Sequence, residues 1–249
     1  MRNQMKKYTE TIAKGITFTM LPIQGGSFMM GSNESDNEQP IHPVTVPDFY
    51  LCEHLVTQAV WQAIMGNNPS HFNGKQENPV ENVSWRDVQA FIEKLNAWEK
   101  AHPTDRPRGY YCLPSEAQWE NAARGGHLSQ GFTYAGSNHL DGVGYYDRNS
   151  AHQTRPVGQL CPNRLGLYDL SGNVWEWCQD EWHHNYKDAP TDGSAWQEHE
   201  NIKLNISRII RGGSWLDYAY RSRVSFRGMF NVSTYSFTIG CRLSRCLTL

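Results

Sequence analysis

Apolar and polar positions change period several times along the chain, and each change predicts an element. Residues 16–30 alternate towards Gly25-Gly26, which predicts two short strands about a glycine turn. Residues 32–40, SNESDNEQP, form a polar acidic loop; its acids admit a metal reading, but a solvated loop explains them more simply. Residues 42–50 carry a Val-Thr-Val strand core, with Pro43 and Pro47 limiting its pairing. Thr57 opens a helix that places Val60, Trp61 and Ile64 on one face and stops at Gly66. Ser84 opens a second, with Val88, Phe91, Ile92 and Leu95 at spacings of three and four. Ser115 opens a third, with Trp119, Ala122 and Ala123 inward and Gly125-Gly126 at its end. Short strands and loops fill the remainder. Repeats and low-complexity linkers are absent, so the expectation is a lead-in at 1–15 and one domain over 16–249.

The stretch the chain is built around, residues 163–180, reads NRLGLYDLSGNVWEWCQD. Its apolar residues follow neither the strand nor the helix period and crowd a Ser171-Gly172-Asn173 turn. Asp169 and Glu176 flank that turn. With the turn's carbonyls they form an oxygen donor set of the kind calcium takes. The plainer reading makes the tryptophans core and the acids caps of the turn.

Composition narrows the function. The chain has 249 residues and a net charge of −2, which gives no basic surface for nucleic acid. Nine Trp and 21 Gly with a mean hydropathy of −0.65 suggest loops around aromatic cores. No apolar run is long enough to span a membrane, and the N-terminus has no secretory apolar region. That predicts a cytoplasmic protein, or a cell-surface one if a leader has been removed. Six cysteines, Cys52, Cys112, Cys161, Cys178, Cys241 and Cys246, include no CxxC pair, and most are expected to be buried thiols. His183-His184 are adjacent, so their side chains diverge and make a poor metal pair. No GxSxG, P-loop or GxGxxG motif is present.

Residues 216–239, LDYAYRSRVSFRGMFNVSTYSFTI, contain no Lys, Glu, Gln or Trp, although these types make up 44 of the 249 residues. About four would be expected in the window at the chain's own composition. Six aromatics are mixed there with Ser, Thr, Asn, Asp and Gly. That mixture suits a binding surface, because rigid amphipathic rings give contact area at low entropic cost. A strand-rich segment would also favour Tyr, Phe and Thr over Lys and Glu.

GLYDLSGNVWEW resembles the signature of the formylglycine-generating-enzyme (sulfatase-modifying factor) family, a branch of the C-type lectin fold. Similar pieces run along the chain: IQGGSFMMGS (23–32), NPVENVSWRDVQAFIEKLN (78–96), YCLPSEAQWENAARGG (111–126), RPVGQ (155–159), RIIRGGSW (208–215) and IGCRL (239–243). The resemblance implies an α+β C-type lectin-like fold of short strands, about three helices and much irregular loop. The family's oxidase binds copper(I) through a cysteine pair after the GGSW-like segment. Here Asp217 stands at the first of those positions, and no cysteine occurs between Cys178 and Cys241. A carboxylate is a hard ligand and a poor substitute at copper(I), so no formylglycine-generating activity is expected. The related iron-dependent sulfoxide synthases take ligands from an additional helical domain that this chain has no room for.

The C-terminal window resembles the variable proteins of diversity-generating retroelements, in which template adenines of asparagine codons are randomised. Codons made that way never encode Lys, Glu, Gln or Trp. The resemblance makes Ala219, Arg223, Arg227, Gly240 and Arg242 fixed positions; Met229 is not reachable by that route. It implies a non-catalytic ligand-binding protein with Asp217, Tyr218, Tyr220, Phe226, Phe230, Asn231, Tyr235 and Phe237 as contacts. The expected partner is a protein, or a carbohydrate stacked on the rings. The alternatives are an enzyme or enzyme-accessory protein of the family without the cysteine pair, and a purely structural module. By the same resemblance, structural calcium would be held by the Asp169 and Glu176 side chains and the Gly172 and Val174 carbonyls. A second family calcium site would include Asn149.

Overall fold

A computed structural model of the chain describes residues 5–198 and 206–248. The three helices stand where their caps place them. Thr57 Oγ1 accepts the Val60 N–H at 3.3 Å ahead of α1 (Gln58–Met65), and Gly66 closes it at φ 83°. Reciprocal capping boxes, Ser84 with Asp87 and Ser115 with Gln118, open α2 (Trp85–Ala101) and α3 (Glu116–Arg124). Each box satisfies backbone donors that the first helical turn leaves unpaired.

The strands are β1 (Tyr8–Ala13), β2 (Ile16–Ile23), β3 (Gly26–Met30), β4 (His42–Val46), β5 (Phe49–Cys52), β6 (Gly109–Cys112), β7 (Trp175–Glu181), β8 (Ser207–Arg211), β9 (Arg227–Asn231), β10 (Ile239–Gly240) and β11 (Ser244–Leu247). A five-stranded sheet runs β1-β2-β5-β11-β6, a four-stranded sheet β10-β7-β8-β9, and β3 pairs with β4. The α+β expectation therefore holds, with β11 threaded between β5 and β6.

Several local expectations change. The lead-in carries β1, antiparallel to β2 with Glu10 opposite Phe18. The two strands about Gly25-Gly26 form, but not as a hairpin: β2 pairs with β1 and β5, while β3 pairs with β4. Gly25 passes so close to β4 that a Cβ there would strike the Val46 carbonyl. The single strand expected over 42–50 breaks at Pro47 into β4 and β5, which join different sheets. A proline has no N–H for the ladder, so this is where the strand divides. The acidic loop is not simply solvated: Glu38 is fully buried.

The 163–180 stretch lacks strand alternation because β7 is covered on both faces, and only Gln179 of its seven residues is not fully buried. Trp177 donates its indole N–H to the Val83 carbonyl at 3.1 Å, and Trp85 donates to the Cys178 carbonyl at 3.0 Å. These two bonds fasten the start of α2 to β7. Among the cysteines, Cys52, Cys178 and Cys241 are buried thiols, Cys161 is exposed, and Cys112 and Cys246 form a disulfide joining β6 to β11. The expectation of mostly buried free thiols thus fails for half of them.

Candidate functional site

The chain leaves β8 through Gly212 and Gly213, at φ 95° and 74°, a left-handed pair that side-chain-bearing residues rarely adopt. A Cβ on Gly213 would press on the 221–222 backbone and side chain, so the 216–226 loop folds back directly over this turn. The chain then forms β9 beside β8, and a loop over 232–238 leads into β10.

This path exposes most of the expected contacts. Tyr218 is 68 % exposed, Tyr235 61 % and Tyr220 50 %, in a protein whose other large aromatics are mostly buried; Phe230 and Phe237 are exposed as well. Tyr220 lies edge-on against half-buried Phe226 at 5.7 Å, and Phe226 leans on Trp175 at 5.9 Å. Phe237 packs against Trp215 at 5.9 Å, and Trp215 donates its N–H to the Phe237 carbonyl. Tyr218, Phe230 and Tyr235 stack on no other ring among the described residues.

Asp217 and Asn231 turn to local tasks. Asp217 Oδ2 accepts the Trp175 indole N–H at 2.8 Å, and its Oδ1 meets Arg221 at 3.1 Å. Asn231 Oδ1 accepts the Ser233 N–H at 3.0 Å and shapes the turn after β9. Sequence reading also missed His71 and Phe72. Their loop joins this cluster, with His71 5.5 Å from Phe237 and Phe72 5.3 Å from Trp215. No local pattern announces them, because the contact spans distant parts of the chain.

Beneath the loops lies a layer of buried ion pairs. Arg223 meets Glu38 at 2.6 Å, Arg227 meets Glu116 at 2.7 Å, and Arg211 meets Glu120 at 2.5 Å. Burial alone would raise the Glu116 carboxyl, but Arg227 and Arg211 beside it hold it below its ordinary range. Arg223 and Arg227 come from the segment itself and bind it to α3 and the 32–40 loop. The exposed rings therefore stand on a fixed base.

The two carboxylates expected to hold calcium, Asp169 and Glu176, are engaged with protein donors. Glu176 gives both oxygens to Arg242 at 2.9 Å, and Oε2 also accepts the Trp119 indole N–H at 2.8 Å. Asp169 Oδ2 accepts the Gly158 N–H at 2.8 Å, and burial pushes its carboxyl up to about 6. Arg242 supplies the positive charge at this site, so the residues present do not fit a calcium cage. Asn149 is likewise spent on the Tyr146 N–H and the Gly144 carbonyl. Among the described residues no group of three His, Cys, Asp or Glu side chains is placed to hold an ion. His183 stacks on Trp196 at 3.5 Å, and burial lowers its pKa. Burial pushes the Cys52 thiol up to about 11 and the Cys178 and Cys241 thiols upward too, as for unreactive core cysteines.

A broad cleft of about 1630 Å³ lies between α2, β6 and the 192–197 loop. No residue of the 216–239 segment lines it. That cleft and the aromatic face are therefore separate features.

Comparison with known proteins places this architecture. The chain is 32 % identical to chaperone protein LppX of Paenibacillus barcinonensis, across 90 % of this chain and 88 % of that protein. It is 31 % identical to the formylglycine-generating enzyme of Streptomyces coelicolor, across 88 % and 87 %. Treponema denticola variable protein 1 superposes with a TM-score of 0.83 at 29 % identity, covering 97 % of this chain and 99 % of that one. The C-type lectin-like scaffold expected from the motifs is thereby the observed one. The sulfatase-modifying factor enzyme 1-like domain matches residues 7–247, and the chain belongs to that family.

Proposed function

We propose that this chain is a non-catalytic ligand-binding protein that displays a diversified C-terminal surface on a C-type lectin-like scaffold. One observation carries the reading: Tyr218, Tyr220, Tyr235 and Phe237 are exposed on a segment that two of its arginines, Arg223 and Arg227, anchor to the buried carboxylates of Glu38 and Glu116. Such a base lets the surface vary while the fold does not. Likeness to the Treponema variable protein supports it, and so does the carboxylate at the family's first copper-cysteine position. The expected ligand is a protein, because rings with small polar neighbours suit broad, adaptable contact. The Cys112–Cys246 disulfide favours an oxidising compartment over the cytoplasm.

The test lies in the flanking DNA. A near-copy of the segment encoding residues 216–243, differing only at template adenines and lying beside a reverse-transcriptase gene, is the expected result. If no such copy exists, diversification is refuted. The similarity to a protein named a chaperone favours the second reading, an accessory protein using the same face for one fixed client.

A further inference from the structure

We infer that the binding face includes a constant step, His71 and Phe72, lying outside the variable segment, and that this step seats an apolar side chain of a folded protein partner. The inference rests on the binding role proposed above and adds residues and a partner chemistry to it.

The step is built into the face. His71 is exposed and 5.5 Å from Phe237, and half-buried Phe72 stands edge-on to Trp215 at 5.3 Å and to Phe237 at 6.5 Å. The two loops are also joined through their backbones. The Asn82 N–H donates to the Ser236 carbonyl at 2.9 Å, and its side-chain amide donates to the Pro69 carbonyl at 3.1 Å.

Phe72 is gripped from both sides of its backbone. Its N–H donates to Glu81 Oε1 at 2.8 Å, and its carbonyl accepts from Gln58 Nε2 at 2.9 Å. Both Gln58 and Glu81 are fully buried. Burying an amide and a carboxyl costs stability unless their hydrogen bonds are made. Here one bond from each goes to the same residue of a surface loop, while Gln58 also bonds the Asn68 side chain and the Pro79 carbonyl. That arrangement pre-organises an aromatic ring before any partner arrives and reduces the ordering cost of binding.

The polar groups favour protein over sugar. Hydroxyl-rich ligands need free carboxylate or amide acceptors. The segment has no Glu or Gln, Asp217 is bound to Trp175 and Arg221, and Asn231 is bound to its own turn. Rings, phenol hydroxyls, the Arg221 guanidinium and small hydroxyls such as Ser233 remain, a composition rich in the Tyr and Arg of protein-contact anchors.

The test uses the full chain displayed with Tyr218, Tyr220, Phe230 and Tyr235 randomised, selected against lysozyme as the probe. Clones that bind are expected to lose about tenfold or more in affinity on His71→Ala and on Phe72→Leu, as central anchors do. Their unfolding midpoints should stay near the parent's for His71→Ala. Binders indifferent to both substitutions would overturn the constant step and leave the binding role standing. A library yielding no binder at all would remove the binding role and this inference with it. A glycan array supplies the last outcome: glycan binding by the native chain that is lost on His71→Ala would overturn the protein assignment.

Discussion

Trp175 donates its indole N–H to Asp217 Oδ2 at 2.8 Å, so Asp217 serves as a strut beneath the aromatic face. Its side chain is only 12 % exposed. Asp217→Ala would leave the indole N–H of buried Trp175 unpaired and is expected to cost about 1–3 kcal/mol. Tyr218→Ala, one residue on and 68 % exposed, should change stability by less than about 0.5 kcal/mol. Urea unfolding of both variants checks this. Equal losses would mean that Asp217 is no strut.

Arg242 gives Glu176 a two-bonded partner and spends its remaining donors on the Cys52, Glu53 and Tyr168 carbonyls. Glu176 then has its counter-charge without an added ion. Chelation by EDTA, or excess calcium, is expected to leave the thermal midpoint unchanged. Arg242→Met should cost about 3–5 kcal/mol, because it strands a fully buried carboxylate. A midpoint that rises with calcium would restore the ion to this turn.

Asp180 predicts a pH dependence. Burial, and then the neighbouring Glu116 charge, push its carboxyl from 3.8 up to about 7. A carboxyl that is harder to ionise when folded favours the native state while it is protonated. That contribution is complete below pH 4, is lost as pH rises towards 7, and is flat above. It is at most about 4 kcal/mol for a shift of this size. Asp180→Asn should flatten the fall in stability between pH 4 and 7, measured by urea unfolding across that range. An unchanged slope would assign it to another group. Glu116, held low by Arg227, acts with the opposite sign and only below its ordinary range.

The elements read most easily from the residues were those with local rules. Thr57, Ser84 and Ser115 each announce a helix through a cap that depends only on the next few positions. The alternation around Gly25 announced strands but not their partners, since β2 and β3 look alike in period and differ only in which distant strand each meets. Pairings across the chain left no local trace. Arg223 meets Glu38 from 185 residues away, and Phe72 reaches Trp215 from another loop. Asp217 was legible as a missing cysteine, yet its inward turn depends on where β7 places Trp175. The tyrosines were more legible, because composition alone marks a segment free of the usual long polar side chains.

The exposed side of the five-stranded sheet carries its own guard. β6 is one of its two edge strands, and Asn96 from α2 takes both free backbone groups of Tyr111, donating to its carbonyl at 2.9 Å and accepting its N–H at 2.8 Å. An edge with unpaired groups is a template for another strand, and this side chain occupies it as a strand would. Asn96→Leu removes both bonds and is expected to cost about 1–3 kcal/mol. It should also make the chain self-associate, since Tyr110 beside the opened groups is 51 % exposed. Light scattering over a concentration series is the measurement. The native chain should hold one mass while Asn96→Leu grows in mass with concentration. A variant that is destabilised yet keeps the native mass would show that Asn96 serves stability alone and leaves no usable edge behind.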